Sequence, residues 1–120
     1  MPLVDVTYDP RVGEDALRRL AETLPHEVSV AVDCPEEPYD HALAPGDVEV
    51  RFRERGPYDV IGLHVVVEVR SKWFASRADN RQERCDRLAA ALVRAVGPHS
   101  LGVYLSLPVA AWAQHDEPAV

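Results

Sequence analysis

Residues 60–70 read VIGLHVVVEVR, eleven residues that alternate with a period of two. Ile61, Leu63, Val65, Val67 and Val69 fall on one side, and Gly62, His64, Val66, Glu68 and Arg70 on the other. That pattern predicts a strand with one buried face. The segment that follows changes period. In ADNRQERCDRLAAALVRAV (78–96), Cys85, Leu88, Ala89, Leu92, Ala95 and Val96 recur at helical spacing. Asp79 with Gln82 approximates a capping box at its start, and Gly97-Pro98 stops it. LGVYLSL (101–107) returns to alternation, with Leu101, Val103, Leu105 and Leu107 set against Tyr104 and Ser106. The second half of the chain therefore reads strand, helix, strand.

The first half repeats that order. MPLVDVTY opens it, with Val4, Val6 and Tyr8 on one side of a strand over 2–8 and Leu3, Asp5 and Thr7 on the other. Gly13, Glu14 and Asp15 suit a helix start. Leu17, Leu20, Ala21, Leu24, Val28 and Ala31 continue at helical spacing. Pro25 interrupts the stripe, so the helix kinks there or ends, in which case EVSVAVD (27–33) is a strand; a kinked helix is the preferred reading. Three prolines make 34–46 an irregular connection. GDVEVRFRERG (46–56) then alternates Val48, Val50 and Phe52 with Glu49, Arg51 and Arg53.

Two β-α-β units, 2–54 and 60–107, thus form a duplication with a period of about 55–60 residues. They predict an α+β fold, a four-stranded mixed sheet with both helices on one face, in a single domain over 1–112 with a polar tail at 113–120. The other sheet face carries Glu49, Arg51, Arg53, His64, Glu68, Arg70, Tyr104 and Ser106. It is too apolar between its charges for open solvent and too charged for a monomer core, which points to burial against copies of the chain in a symmetric oligomer.

Composition narrows the function classes. The 120 residues are 47% hydrophobic and 28% charged, the balance of one ordinary globular domain. A net charge of −7 argues against a nucleic-acid partner, which needs a basic surface. No run approaches the roughly 18 apolar residues of a membrane span, and the N-terminus lacks a leader pattern, so a cytoplasmic protein without a membrane partner is expected. Cys34 and Cys85 fit no metal spacing and read as idle thiols. Neither a metal nor a cofactor is expected, because a Gly-rich phosphate loop, a Ser-His-Asp arrangement and a metal cluster are all missing from the sequence.

The initial Met-Pro, GLHVVVEV with ADNRQERCDRLAAALVRAV, and VYLSL in this order resemble the tautomerase superfamily, specifically 5-carboxymethyl-2-hydroxymuconate isomerase and macrophage migration inhibitory factor. The resemblance runs from Pro2 to about Trp112. It implies a homotrimer around a central barrel, with the amino-terminal proline at the mouth of each pocket. It also implies that this proline's amine moves a proton between an enol and its keto isomer while nearby cations hold a carboxylate or polarise a carbonyl. Tyr104 stands where the inhibitory-factor branch has an active-site tyrosine. Arg11 lies near the position of a substrate-binding arginine in the small tautomerases. The chain departs from the family pattern at two places. Glu49 aligns with a second-strand arginine, with Arg51 one pleat on, and the loop VRSKWFASR (69–77) has no glycine.

The chemistry is consistent with that implication. Pro2 has a basic nitrogen only when Met1 is removed, and proline is small enough for routine methionine excision. A free α-amino group titrates at roughly 7.7–8 and a prolyl amine higher; a dry, cationic pocket lowers it towards neutrality, where a general base works best. As a structural residue, Pro2 would merely start a strand, where its missing N–H costs little. The substrate would be a small carbonyl acid, with Arg51 and Arg70 as first candidates for its carboxylate and Arg11, Lys72 and Tyr104 behind them. Trp73, Phe74 and Trp112 are candidates to wall an apolar pocket, and His64 reads as an interface hydrogen-bonder. Two alternatives remain open: a dehalogenase or decarboxylase that uses a protonated proline as acid, and a non-catalytic trimeric binding protein of the same fold.

Overall fold

A computed structural model describes residues 1–37, 43, 47–60 and 62–118. The elements run β1 (Leu3–Tyr8), α1 (Glu14–Val32), β2 (Glu49–Glu54), β3 (Val65–Arg70), α2 (Ala75–Asp79), α3 (Arg81–Val96) and β4 (Leu101–Ser106). One four-stranded sheet has the order β2-β1-β3-β4, parallel at β1–β2 and β3–β4 and antiparallel at β1–β3. This is the expected four-stranded mixed sheet of two β-α-β units, joined at the centre through their first strands. Most of the expected connection at 34–46, and Ile61, lie outside the described residues.

The core forms where the apolar pleat meets the apolar helix stripes. Val4, Val6, Val65, Val67 and Val69 are buried against Leu20, Leu24 and Val28 of α1 and Leu88 and Leu92 of α3. Leu92 has no exposure, so Leu92→Ala is expected to destabilise by about 2–5 kcal/mol, through lost transfer energy and the cavity left behind. A lowered urea midpoint with an unchanged slope checks it.

Some local expectations hold and others are corrected. Of the two readings at Pro25 the preferred one, a continuing helix, holds: α1 runs through it to Val32, so 27–33 is no strand. Interior proline costs about 3 kcal/mol. Burial of Leu24 before it and of Val28, Ala31 and Val32 after it offsets that cost. Ala21, expected in the stripe, is exposed while Ala16 is buried. Asp79 and Gln82 form no capping box. Asp79 closes the short helix α2 in the stretch read as a loop, Asn80 precedes α3 without a side-chain cap, and Gln82 donates to Asp86 at 2.8 Å. Gly97 does stop α3, with φ of 62°. Phe52 is 37% exposed and Leu63 is exposed too, because β2 is an edge strand and Leu63 precedes β3.

Arginines, rather than local caps, satisfy the helix ends. Arg77 and Arg84 donate to carbonyls at the end of α1: Arg77 Nε to Val32 O at 2.6 Å, and Arg84 Nη1 to Ala31 O at 2.9 Å and Asp33 O at 2.7 Å. Arg19 Nε donates to Ala95 O near the end of α3 at 3.0 Å. Cations are favoured at those negative helix ends. Among the described residues, no helix is long and apolar enough to cross a membrane.

The face away from the helices carries the polar pleat. The register sets three rows across the strands: Glu49, Leu3, Arg70, Ser106; Arg51, Asp5, Glu68, Tyr104; and Arg53, Thr7, Val66, Gly102. His64 sits just before β3 and meets a residue of its own chain, with its Nδ1 3.0 Å from His99 Nδ1.

Candidate active site at the N-terminal end of the central strand

Pro2 is buried immediately ahead of β1. Its carbonyl accepts from Glu49 N–H at 3.2 Å, the first rung of the β1–β2 pairing. Its nitrogen, an amide to Met1 in the chain as translated, carries no N–H, which costs little ahead of the first residue of β1. Met1 borders a depression of about 170 Å³ together with Leu3, Arg70, Lys72, Pro108 and Trp112. The far wall is held by backbone bonds that extend the β3–β4 pairing: Ser71 N–H to Ser106 O at 3.1 Å and Trp73 N–H to Pro108 O at 2.9 Å. The segment after β4 is thereby held beside the exit of β3, which brings Trp112 to Lys72 and Met1. Of the three aromatics, Trp112 lines this depression, while Phe74 stacks beneath the Arg77 guanidinium at 5.2 Å.

The cations are unequally free. Arg70 Nη2 lies 2.7 Å from Asp5 Oδ2, and Arg51 Nε lies 3.5 Å from Asp5 Oδ1. Both expected carboxylate binders thus already face a carboxylate of their own chain. All three side chains are partly exposed, so each pair contributes about 0–1 kcal/mol to stability and acts mainly on orientation. Arg70 borders both the N-terminal depression and a second one of about 370 Å³ on the sheet face, which also touches Asp5, Arg51, Arg53 and Glu68. Lys72 pairs with no carboxylate among the described residues. Its carbonyl accepts from Arg77 Nη1 at 3.0 Å, which anchors the backbone beneath its ammonium group. Arg77 itself has no exposure and serves the fold.

Arg11 and Tyr104 are not brought to this depression within the chain. Arg11 follows the opposite end of β1, a strand length of about 20 Å away. It chelates Asp9 there, with Nε at 2.9 Å and Nη2 at 3.2 Å, while its backbone N–H donates to the same carboxylate at 2.9 Å. These bonds hold the Asp9 carboxyl at about 2. A depressed carboxyl contributes stability above its ordinary pKa and loses it as pH falls through the folded value, so this contribution disappears between about pH 4 and pH 2. In Arg11→Gln the Asp9 carbon resonance is expected to titrate well above its position in the parent chain, as read by NMR.

Tyr104 is 67% exposed on the edge strand β4. It borders a larger cleft of about 680 Å³ between α3 and β4, with Cys85, Arg81 and Gln82. Burial pushes the Cys85 thiol up, and its S–H donates to Val103 O at 3.3 Å, so it stays a thiol at neutral pH and is a poor nucleophile. Among the described residues, no group of three metal-ligating side chains converges.

Asp5 is the residue that sequence reasoning passed over. Its signal was present in the parity of β1, which puts Asp5 on the pleat opposite the core. The register that sets it beside Arg51 and diagonal to Arg70 is a tertiary fact.

No protein-family model matches the chain, and no curated protein matches it either. Solved structures do. Malonate semialdehyde decarboxylase superposes with a TM-score of 0.65 at 14% identity, over 97% of this chain and 92% of that one. The macrophage migration inhibitory factor-like protein of Entamoeba histolytica gives 0.60 at 12% identity, over 96% and 95%. A fused 4-OT, solved as a symmetric trimer, gives 0.58 at 15% identity, over 89% and 85%. The fold is therefore that of the tautomerase superfamily, as the initial Met-Pro and the two β-α-β units suggested. Sequence identity this low extends the likeness to the fold alone.

Proposed function

We propose that the chain is a cofactor-free tautomerase that moves a proton between the enol and keto forms of a small carbonyl acid, with the Pro2 amine, freed by loss of Met1, as the general base. The observation that carries this reading is the position of Pro2, buried between Met1 and Leu3, which line a depression together with Arg70 and Lys72. Loss of Met1 opens the depression and turns an amide into a secondary amine. Lys72 disfavours the protonated amine and offers an ammonium to the substrate carboxylate. The neutral amine takes the enol O–H proton and returns it to the adjacent carbon, so the base is regenerated without a co-reactant. Trp112 and Leu3 supply apolar wall. Arg70 adds positive field from the rim, Arg51 acts through Asp5, and Arg11 and Tyr104 could contribute only from another subunit. A homotrimer is the assembly proposed, because the polar pleat has no cover among the described residues and the fused 4-OT is a symmetric trimer.

The test compares phenylenolpyruvate turnover by the processed chain, by processed Pro2→Ala and by a chain that retains Met1. Turnover by the processed chain alone is expected; undiminished turnover in both variants sinks the reading. A second reading, decarboxylation or hydration with a protonated Pro2 as acid, draws on the likeness to malonate semialdehyde decarboxylase, whose structure is described with decarboxylase and hydratase activities. The pH profile separates the two. A base-form enzyme loses activity below the proline pKa and an acid-form enzyme above it. Labelling by 3-bromopyruvate, followed by intact-mass analysis, marks a free Pro2 amine; an unlabelled chain with Met1 intact would favour a non-catalytic binding protein.

A further inference from the structure

We propose that Asp5 sets the ligand specificity of the N-terminal depression: by holding Arg70, and beside it Arg51, it leaves Lys72 as the single anion-binding position, so the site takes a monocarboxylate with an apolar substituent and disfavours a dicarboxylate. This rests on the depression being the substrate site, as in the reading above. The geometry of one carboxylate carries it. Asp5 presents Oδ2 to Arg70 at 2.7 Å and Oδ1 to Arg51 at 3.5 Å, so its two oxygens occupy both guanidiniums. Among the described residues, Arg70 alone borders both the N-terminal and the sheet-face depressions described above, and Asp5 draws its guanidinium to the sheet-face side.

Two independent features agree with one anionic position. Lys72 faces no carboxylate among the described residues, and its backbone is anchored by Arg77. Once Met1 is lost, the side chains of the remaining lining, Leu3, Ser71, Pro108, Ala110, Ala111 and Trp112, carry no charge. With Met1 in place the depression is about 170 Å³, below the roughly 300–1,000 Å³ of pockets for drug-sized ligands, and loss of that one residue adds room for a small occupant. A second carboxylate would have to displace Asp5 from Arg70 or lie unpaired against apolar wall, and either is unfavourable. Neutralising Asp5 removes one negative charge between two arginines. Glu68, opposite Asp5 on the same face, is the nearest competitor in the register, and one carboxylate cannot replace the clamp on both arginines with the same geometry.

The test uses the full chain with Met1 removed and reads equilibrium binding, by calorimetry, of a matched pair of unreactive acids: 3-phenylpropanoate and 4-(2-carboxyethyl)benzoate, which adds a second carboxylate to the same skeleton. The parent protein is expected to bind the monoacid at least about tenfold more tightly, the scale of one charge-assisted hydrogen bond lost. Asp5→Asn is expected to raise diacid affinity about tenfold and to change monoacid affinity by less than about threefold, Asp5→Glu to retain the parent preference, and Asp5→Asn with Arg70→Gln to lose the gain. Equal affinities in the parent, a parallel loss of both acids in Asp5→Asn, or a gain that survives in the double variant overturns the proposal. The parent measurement needs no variant, so the proposal stays exposed even if Asp5→Asn folds poorly. Selective binding without turnover would remove the general-base reading and leave this one standing.

Discussion

A chain extended ahead of Met1, so that Pro2 stays an amide, is expected to turn over phenylenolpyruvate about 10²–10⁴-fold more slowly than the processed chain, the range that a positioned general base contributes. The reason is covalent. An amide nitrogen has no available lone pair at any working pH, whereas the same atom as a free amine can accept a proton. Because Pro2 is buried and its carbonyl is tied to Glu49 N–H at 3.2 Å, the atom is held in place before and after processing, and the extension changes its chemistry more than its position. The extended chain should unfold at the same urea concentration as the processed one, which separates a chemical loss from a folding loss. In the processed chain kcat/KM should fall as pH drops through the amine pKa, because the protonated amine cannot act as base. A rise on acidification would favour the decarboxylase-type reading instead.

Arg77→Met is expected to lower stability by about 2–6 kcal/mol, as read from urea unfolding, a large part of the roughly 5–15 kcal/mol that holds a domain of this size. Among the described residues, Arg77 is the largest side chain with no exposure. It donates through Nε to Val32 O at 2.6 Å and through Nη1 to Lys72 O at 3.0 Å, and its plane packs over Phe74. Methionine fills most of the space but leaves these acceptors without their donors, at about 1–3 kcal/mol for each buried group. Lysine has one ammonium where arginine has a planar fork, so Arg77→Lys should recover only part of the loss. Arg77→Lys should also raise KM more than it lowers kcat, because the Lys72 backbone loses its anchor while Pro2 stays in place.

The contrast between these residues shows what was legible before folding. The alternation of 65–70 and the helical stripe from Leu88 to Val96 identified β3 and α3 because their apolar periods match the secondary structure they adopt. The run through Pro25 was read correctly as helix, since Leu20, Leu24 and Val28 keep one stripe on both sides of it. The Asp79–Gln82 cap failed because the chain makes a separate short helix there, ended at Asn80, which local pattern does not distinguish from an approach loop. In the sequence, Arg77 stands as one more cation in VRSKWFASR (69–77). Burial made it a structural residue, and burial is not written in a nine-residue window.

The periodicities by themselves determined the order of the elements, the duplication and which pleat of each strand meets the helices, because side-chain parity is a local property of the backbone. They also put Pro2 at the start of the first strand and a charged row behind the core. Only the tertiary structure decided how those charges are shared. The antiparallel register of β1 on β3 sets Asp5 diagonal to Arg70, and the parallel register of β2 on β1 sets it directly beside Arg51. Which arginine is occupied and which lysine is left open follows from distances of a few ångströms between strands far apart in the chain, and electrostatic pairing depends on those distances rather than on residue type.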